Sequence, residues 1–353
     1  MRVHRALAPA LASLVMSTAA VGGGVLPAQQ PHSTQVANAL VARGDTMLFA
    51  GRLFGAESAY YRAAYVAPHD GNARMALGRY EAGRGRWRIA AVMMEEARHF
   101  GSDPSLVAAD IAPVYSMLGI ADSLYKRKDD WAALAALPSV AIPLGERLRA
   151  EYLRTAPPDI EGPDSSIVMY TVSDSHLLGR VKIAIGNDTV FAVIDAKVRG
   201  LVLDTTWMRR DSVKRFGPKG STDPAQVYGV MPRLRMGEVT FTNVPVRFQG
   251  FKTSGNALVG LDWFGALAPT FDPRVGYVLV RKGGRVSDKL AGWRIPSFAG
   301  KNGVMVVKGD TMFPVGHPDV QQYFRVGKWT WDARRGTVVV DSVGVSPVGV
   351  ANP

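Results

Sequence analysis

Residues 37 to about 104 repeat at a fixed spacing of 34: Gly44 is matched by Gly78, Gly51 by Gly85, Ala56 by Ala90, Tyr60 by Met94 and Ala63 by Ala97. A period of this length, with small residues recurring in phase, predicts one helix, a short turn near a glycine and a second helix per unit. One such pair cannot cover its own apolar face, so neighbouring units must stack. Ala56 and Ala63 allow two helices to approach closely, and Tyr60 fills the space between them. A third, decayed unit is expected around Leu106, Tyr115, Leu118 and Leu124, with Gly119 holding the phase and Trp131 to Leu137 forming a capping helix. Pro138, Pro143 and Ala156-Pro157-Pro158-Asp159 then break the pattern.

From Ile167 onward the texture changes to short β-rich runs separated by turn residues. The runs are Ile167–Val172, Arg180–Ile185, Val190–Ile194, Leu201–Leu203, Val239–Val246 and Tyr277–Arg281. Gly186-Asn187-Asp188 between two of them predicts a hairpin turn. The pattern is that of a small all-β sandwich or barrel. The fold class expected for the whole chain is therefore multidomain α + β, with N-terminal helical repeats and a C-terminal all-β domain.

The most telling stretch within the β half is Val193-Ile194-Asp195-Ala196-Lys197-Val198-Arg199-Gly200-Leu201-Val202-Leu203-Asp204. An apolar run delivers an aspartate to a sharp break, and a second apolar run follows. Two later blocks accompany it: Leu234 to Val246, and Ala257-Leu258-Val259-Gly260-Leu261-Asp262-Trp263-Phe264 leading to Thr270 through Val280. In order and spacing these three blocks resemble the retropepsin-like aspartic proteases, with the aspartate loop, the central strands after the flap, and the leucine-glycine helix entry with its closing hairpin. The helical half, with Pro68 and Asp103-Pro104 at the unit ends, resembles tetratricopeptide repeats.

The protease resemblance implies an acid-protease fold in which two aspartates, one from each of two lobes, share a proton and activate a water. Like charges so close cannot both ionise, so one carboxyl serves as acid and the other as base. Asp195 is the matching catalytic position, and a single lobe implies a homodimer. The family's Thr-Gly after the aspartate is replaced by Ala196 and Lys197. Ala196 has no hydroxyl to tie two loops together, and the Lys197 ammonium would favour two ionised carboxylates over a shared proton. Two functions stay open. One is an aspartic-type endopeptidase acting on peptide or protein, weakened or silent as a pseudoenzyme. The other is a non-catalytic scaffold whose helical repeats hold a protein partner.

Asp204 reads as a strand-end aspartate, and Asp310-Thr311 as a candidate relic of a second lobe. Thr270-Phe271-Asp272, Arg274, Gly276, Val278 and Val280 recur 60 residues later as Thr330-Trp331-Asp332, Arg334, Gly336, Val338 and Val340. Either two similar hairpins or a partial duplication accounts for this, and residues 284–330 look short for a whole second lobe. The boundaries expected are 1–28 for a signal peptide, 33–155 for the tetratricopeptide-like repeats, 165–283 for the retropepsin-like domain and 284–345 for a C-terminal β extension.

Arg2 and Arg5, the apolar run Ala6–Val25 and the Leu26-Pro27-Ala28 site predict an exported, periplasmic or extracellular protein cut after Ala28. The chain has no cysteine, so it is not a lipoprotein and has no disulfide or thiolate chemistry. Residues 161–353 carry 25 Lys/Arg against 16 Asp/Glu, so most of the net charge of +12 sits in the β half. Such a field favours acidic partners or simple solubility, and nothing supports a nucleic-acid ligand. The six histidines are scattered, and no metal, phosphate-loop or cofactor motif occurs. Trp263, Trp293, Trp329 and Trp331 read as core.

Overall fold

The structure, a computed structural model, describes residues 31–123, 129–138, 142–173, 176–251, 257–265, 267–282, 284, 286–300, 303–309, 311–325, 327–332 and 335–341. The expected export segment 1–28, Asp310 and Arg334 lie outside them. The N-terminal region is helical: α1 (Pro31–Phe49), α2 (Leu53–Val66), α3 (Gly71–Gly83), α4 (Trp87–His99), α5 (Pro104–Ser123), α6 (Asp129–Ala135) and α7 (Leu144–Thr155). Among the described residues no helix is long and apolar enough to cross a membrane.

The sequence period has a direct steric cause. Gly51 and Gly85 turn α1 into α2 and α3 into α4 at φ 80° and 74°, a region open to glycine at little cost. Gly44 faces the Tyr60 ring so closely that a Cβ there would lie 2.6 Å from it, and Gly78 faces Met94 Cγ at 2.8 Å in the same way. Asn72 Nδ2 donates to Asn38 Oδ1 at 2.8 Å, joining equivalent positions 34 residues apart. Asp70 caps α3 by accepting from Ala73 N–H at 2.9 Å. Gly119 departs from its expected place at a turn. It lies inside α5, where a Cβ would come within 2.5 Å of the fully buried Trp131 indole, so the glycine makes room for packing instead.

The β region comprises β1 (Asp159–Glu161), β2 (Ser165–Ser173), β3 (His176–Ile185), β4 (Asp188–Asp195), β5 (Leu201–Asp204), β6 (Lys214–Phe216), β7 (Tyr228–Met236), β8 (Val239–Gln249) and β9 (Ala257–Gly260). It continues with α8 (Leu261–Gly265), β10 (Thr270–Asp272), β11 (Tyr277–Arg281), β12 (Trp293–Gly300), β13 (Gly303–Lys308), β14 (Thr311–Pro314), α9 (Pro318–Arg325), β15 (Trp329–Asp332) and β16 (Thr337–Val340). Gly186 and Asn187 form the expected tight turn, with Ile185 opposite Asp188. Strands β3, β4, β9, β5, β8 and β7 follow one another, and β7 returns to β3 through Arg235 and Ala184, closing a barrel. Alternate residues Val190, Ala192 and Ile194 of β4 fill its interior.

The C-terminal strands repeat the frame of the barrel's outer edge about an approximate two-fold axis. Thr270 of β10 pairs with Thr330 of β15, their hydroxyls 2.7 Å apart. On either side Phe271 pairs with Trp329, and Trp331 N–H donates to Pro269 O at 3.1 Å, the two halves of one symmetric ladder. Outward from the axis Val278 pairs with Val168 of β2, as Val338 pairs with Ile295 of β12. Further on, Tyr170 pairs with Val181 of β3 as Ser297 pairs with Val306 of β13. Val181 in turn faces Ala192 of β4, as Val306 faces Phe313 of β14. Two similar hairpins would not reproduce this whole series of registers. The 60-residue echo is therefore part of a second, shortened frame, and residues too few for a whole lobe suffice because among the described residues this frame has no counterpart of β5 to β9.

Candidate functional site

Asp195 closes β4 one residue after the buried Ile194, so the pleat turns its side chain out of the barrel interior at the strand's mouth. There β9 slots between β4 and β5. Asp195 pairs in parallel with Gly260, while β9 runs antiparallel to β5. Gly260 N–H donates to Gly200 O at 2.7 Å, which locks the loop 196–200 against β9. Gly200 takes φ 69°, as that sharp return requires. Asp195 Oδ1 accepts the Lys197 N–H at 2.8 Å, and Val198 N–H reaches Asp195 O at 3.3 Å. This is an aspartate-initiated turn, in which the carboxylate organises its own loop.

Ala196 is half-buried on the barrel's apolar cluster, and the Lys197 side chain is exposed. Gly303, at the start of β13, lies directly on this loop. A Cβ there would be 3.0 Å from Ala196 O and 3.2 Å from Lys197 Cγ. The chain's own C-terminal hairpin thus covers one side of the loop that carries Asp195.

Following the two frames forward shows what stands where a second acid would be. From the matched pairs Val181–Ala192 and Val306–Phe313, residues Val193, Ile194 and Asp195 correspond to Pro314, Val315 and Gly316. Val315 N–H donates to Val304 O at 3.1 Å, so the ladder persists to that point. The position matching Asp195 is therefore glycine, and the chain then enters α9 at Pro318 instead of forming another strand. The candidate relic Asp310 lies outside the described residues; its neighbour Thr311 pairs with Lys308 at the end of β14 opposite Gly316.

Three other aspartates of the β half, Asp204, Asp272 and Asp332, are structural. Asp204 is buried and accepts from Thr206 N–H and Phe251 N–H, each at 2.9 Å. Burial alone would raise its pKa. The Thr206 hydroxyl and the backbone N–H groups of Thr206, Phe251 and Thr205 outweigh that and hold the carboxyl below the usual carboxylate range. Asp272 binds Arg274 through both oxygens at 3.1 Å. In the second frame Asp332 reaches Arg335 at 3.4 Å, one residue beyond the position that the sequence echo singles out.

A cleft of about 1300 Å³ opens between the helical region and the barrel, lined by residues of both. Its barrel wall carries Lys197, Arg199 and Arg247; its helical wall carries Tyr60, Tyr80, Trp87 and Met94. Sequence reasoning singled out Lys197 but missed Arg199 and Arg247. They lie on separate segments, and only the register of β5 on β8, Leu201 opposite Val246, brings them together. Among the described residues no group of three His, Asp or Glu side chains could hold a metal ion.

No family model matches the chain, and no curated protein sequence does. Among solved structures, the crystal structure of a retropepsin-like aspartic protease from Rickettsia conorii is similar over 35% of this chain and 92% of that chain, at 10% sequence identity and a TM-score of 0.24.

Proposed function

We propose that the chain is an exported, periplasmic or extracellular protein built on a retropepsin-like frame that has lost peptide-bond hydrolysis and serves as a binding scaffold. Its segments would be a signal peptide at 1–28, tetratricopeptide-like repeats at 33–155, the protease-like domain at 165–283 and the shortened second frame at 284–345. The observation that carries this reading is Gly316 at the register of Asp195. Water activation by paired aspartates needs one carboxyl protonated and one ionised within a few ångström. With glycine in the second frame the chain supplies one acid only. That acid is already engaged by the Lys197 N–H of its own turn. A partner chain's Asp195 would have to approach a loop on which Gly303 already packs. The homodimer implied by a one-lobe protease therefore has no support in the packing.

The test is cleavage of a mixed peptide library by the purified full-length mature chain, from acidic to neutral pH. No cleavage is expected from the wild type, nor from Ala196→Thr with Lys197→Gly, which restores the family's loop but not the second acid. Cleavage that is abolished by Asp195→Asn and blocked by a transition-state mimic of aspartic proteases would overturn the proposal.

A further inference from the structure

We propose that the cleft between the helical region and the barrel is a binding site for an acidic, extended peptide segment of a partner protein. This deepens the scaffold reading and rests on it. Three cations form the barrel wall. Lys197 and Arg199 come from the loop after Asp195, and Arg247 comes from β8; all three are exposed. None has an ion-pair partner among the described residues. Arg247 Nη2 donates to Arg199 O at 2.6 Å, so the guanidinium is tethered to the loop that carries the other two charges. A fixed cation group of this kind is organised before a ligand arrives, which lowers the ordering cost of binding.

The facing wall explains why these charges are left for a ligand. Its acids are Asp45 and Asp110. Asp110 is held by Arg79 Nε at 2.7 Å, and Asp45 accepts the Tyr60 hydroxyl at 2.7 Å. Arg79 thus balances Asp110, Asp45 keeps its charge against the neutral Tyr60 hydroxyl, and the wall otherwise offers apolar surface from the half-buried Leu48, Trp87 and Pro113, while Tyr80 and Met94 are buried. A ligand with carboxylates on one side and apolar groups on the other fits both walls. The volume of about 1300 Å³ exceeds the range usual for small-molecule pockets and suits a stretch of polypeptide. The excess of basic residues throughout the β half would steer such a ligand toward the cleft.

The experiment is fluorescence polarisation of the full-length mature chain with a labelled peptide of alternating glutamate and leucine. Saturable binding that weakens with added salt is expected, with no binding of the matched lysine–leucine peptide. Lys197→Glu with Arg247→Glu should weaken binding on the order of tenfold or more. Lys182→Glu, a single reversal on exposed β3, should leave binding within about twofold, as expected for a charge outside the site. Lys197→Gln with Arg247→Gln provides a milder pair should the reversals unfold the chain. The proposal is overturned if no peptide binds, if the lysine peptide binds equally, if Lys182→Glu weakens binding as much as the cleft variants do, or if double-stranded DNA binds more tightly than the acidic peptide. A binding failure leaves the loss of catalysis standing, and Asp195-dependent cleavage of the peptide would instead strike that reading.

Discussion

Asp195 and Asp204 stand at either end of one short loop-and-strand segment, yet their surroundings give them different work. Asp195 is half-buried and accepts one local N–H, whereas Asp204 is buried and ties Thr206 N–H and Phe251 N–H together across the chain. Asp204→Ala leaves buried donors without partners and is expected to cost about 2 kcal/mol. Asp195→Asn keeps the turn geometry and is expected to cost under about 0.5 kcal/mol. The pH dependence follows from the same contrast. The Asp204 carboxyl is held below its ordinary range in the folded chain. Its stabilising contribution is therefore fully present above the unfolded-state value of about 3.9 and is lost as pH falls through the lower folded value. Thermal melts across that acid range should show a steeper loss for the wild type than for Asp204→Asn. Equal slopes, or a larger effect at Asp195, would contradict the assignment.

At the scale of elements, the glycines of the helical repeat do different jobs that their common spacing conceals. Gly44 abuts the Tyr60 ring, which is pinned by its hydrogen bond to Asp45; a Cβ at Gly78 would meet Met94 Cγ at 2.8 Å and Ala90 O and Met93 Cβ at 3.3 Å. An alanine at either place gains about 0.5–1 kcal/mol of helix stability. Against a fixed ring this is outweighed by an overpacking cost of about 1–3 kcal/mol, whereas a methionine can move aside. Chemical denaturation should therefore find Gly44→Ala destabilised by about 1–2 kcal/mol and Gly78→Ala by less. Equal losses would show that the two interfaces are equally rigid. The period, the hairpin turn at Gly186-Asn187 and the strand runs were all legible, because each is set by residues close in sequence. Gly119 was not legible as a helical residue, because its glycine is required by Trp131, a distant indole that no local pattern announces. Asp195 could be found as the end of an apolar run. Its counterpart Gly316 could not, since that match exists only through a chain of strand pairings running from β10 and β15 outward.

For the whole molecule, the second frame joins the helices to the barrel. It packs on the Asp195 loop through Gly303, and on the helical region through Phe298, whose ring centroid lies 5.9 Å from that of Tyr80. Met312 N–H of β14 donates to Gly51 O in the first helical turn at 3.0 Å. The strongest tie is the buried Arg84, whose Nη1 donates to Ser297 O at 2.6 Å and to Gly336 O at 3.2 Å. These bonds from a charged donor reach two carbonyls, one within β12 and one just before β16, that water cannot reach freely. Nothing local marks this arginine among the chain's many, which is why it escaped the sequence. Arg84→Met keeps much of the side chain's length and volume but removes both bonds, with Gly336 O keeping only the Ser297 N–H at 2.7 Å, at an expected cost of about 1–2 kcal/mol. Because the loss falls on the junction, the helical region should release from the β region before either unfolds. Calorimetry should show one transition for the wild type and two for the variant, and limited proteolysis should cut the variant near residues 156–158, where Ala156-Pro157-Pro158 leads from α7 to β1. A single transition at a uniformly lower temperature, with no new cleavage there, would mean that the junction is held elsewhere and that the second frame does not couple the two regions.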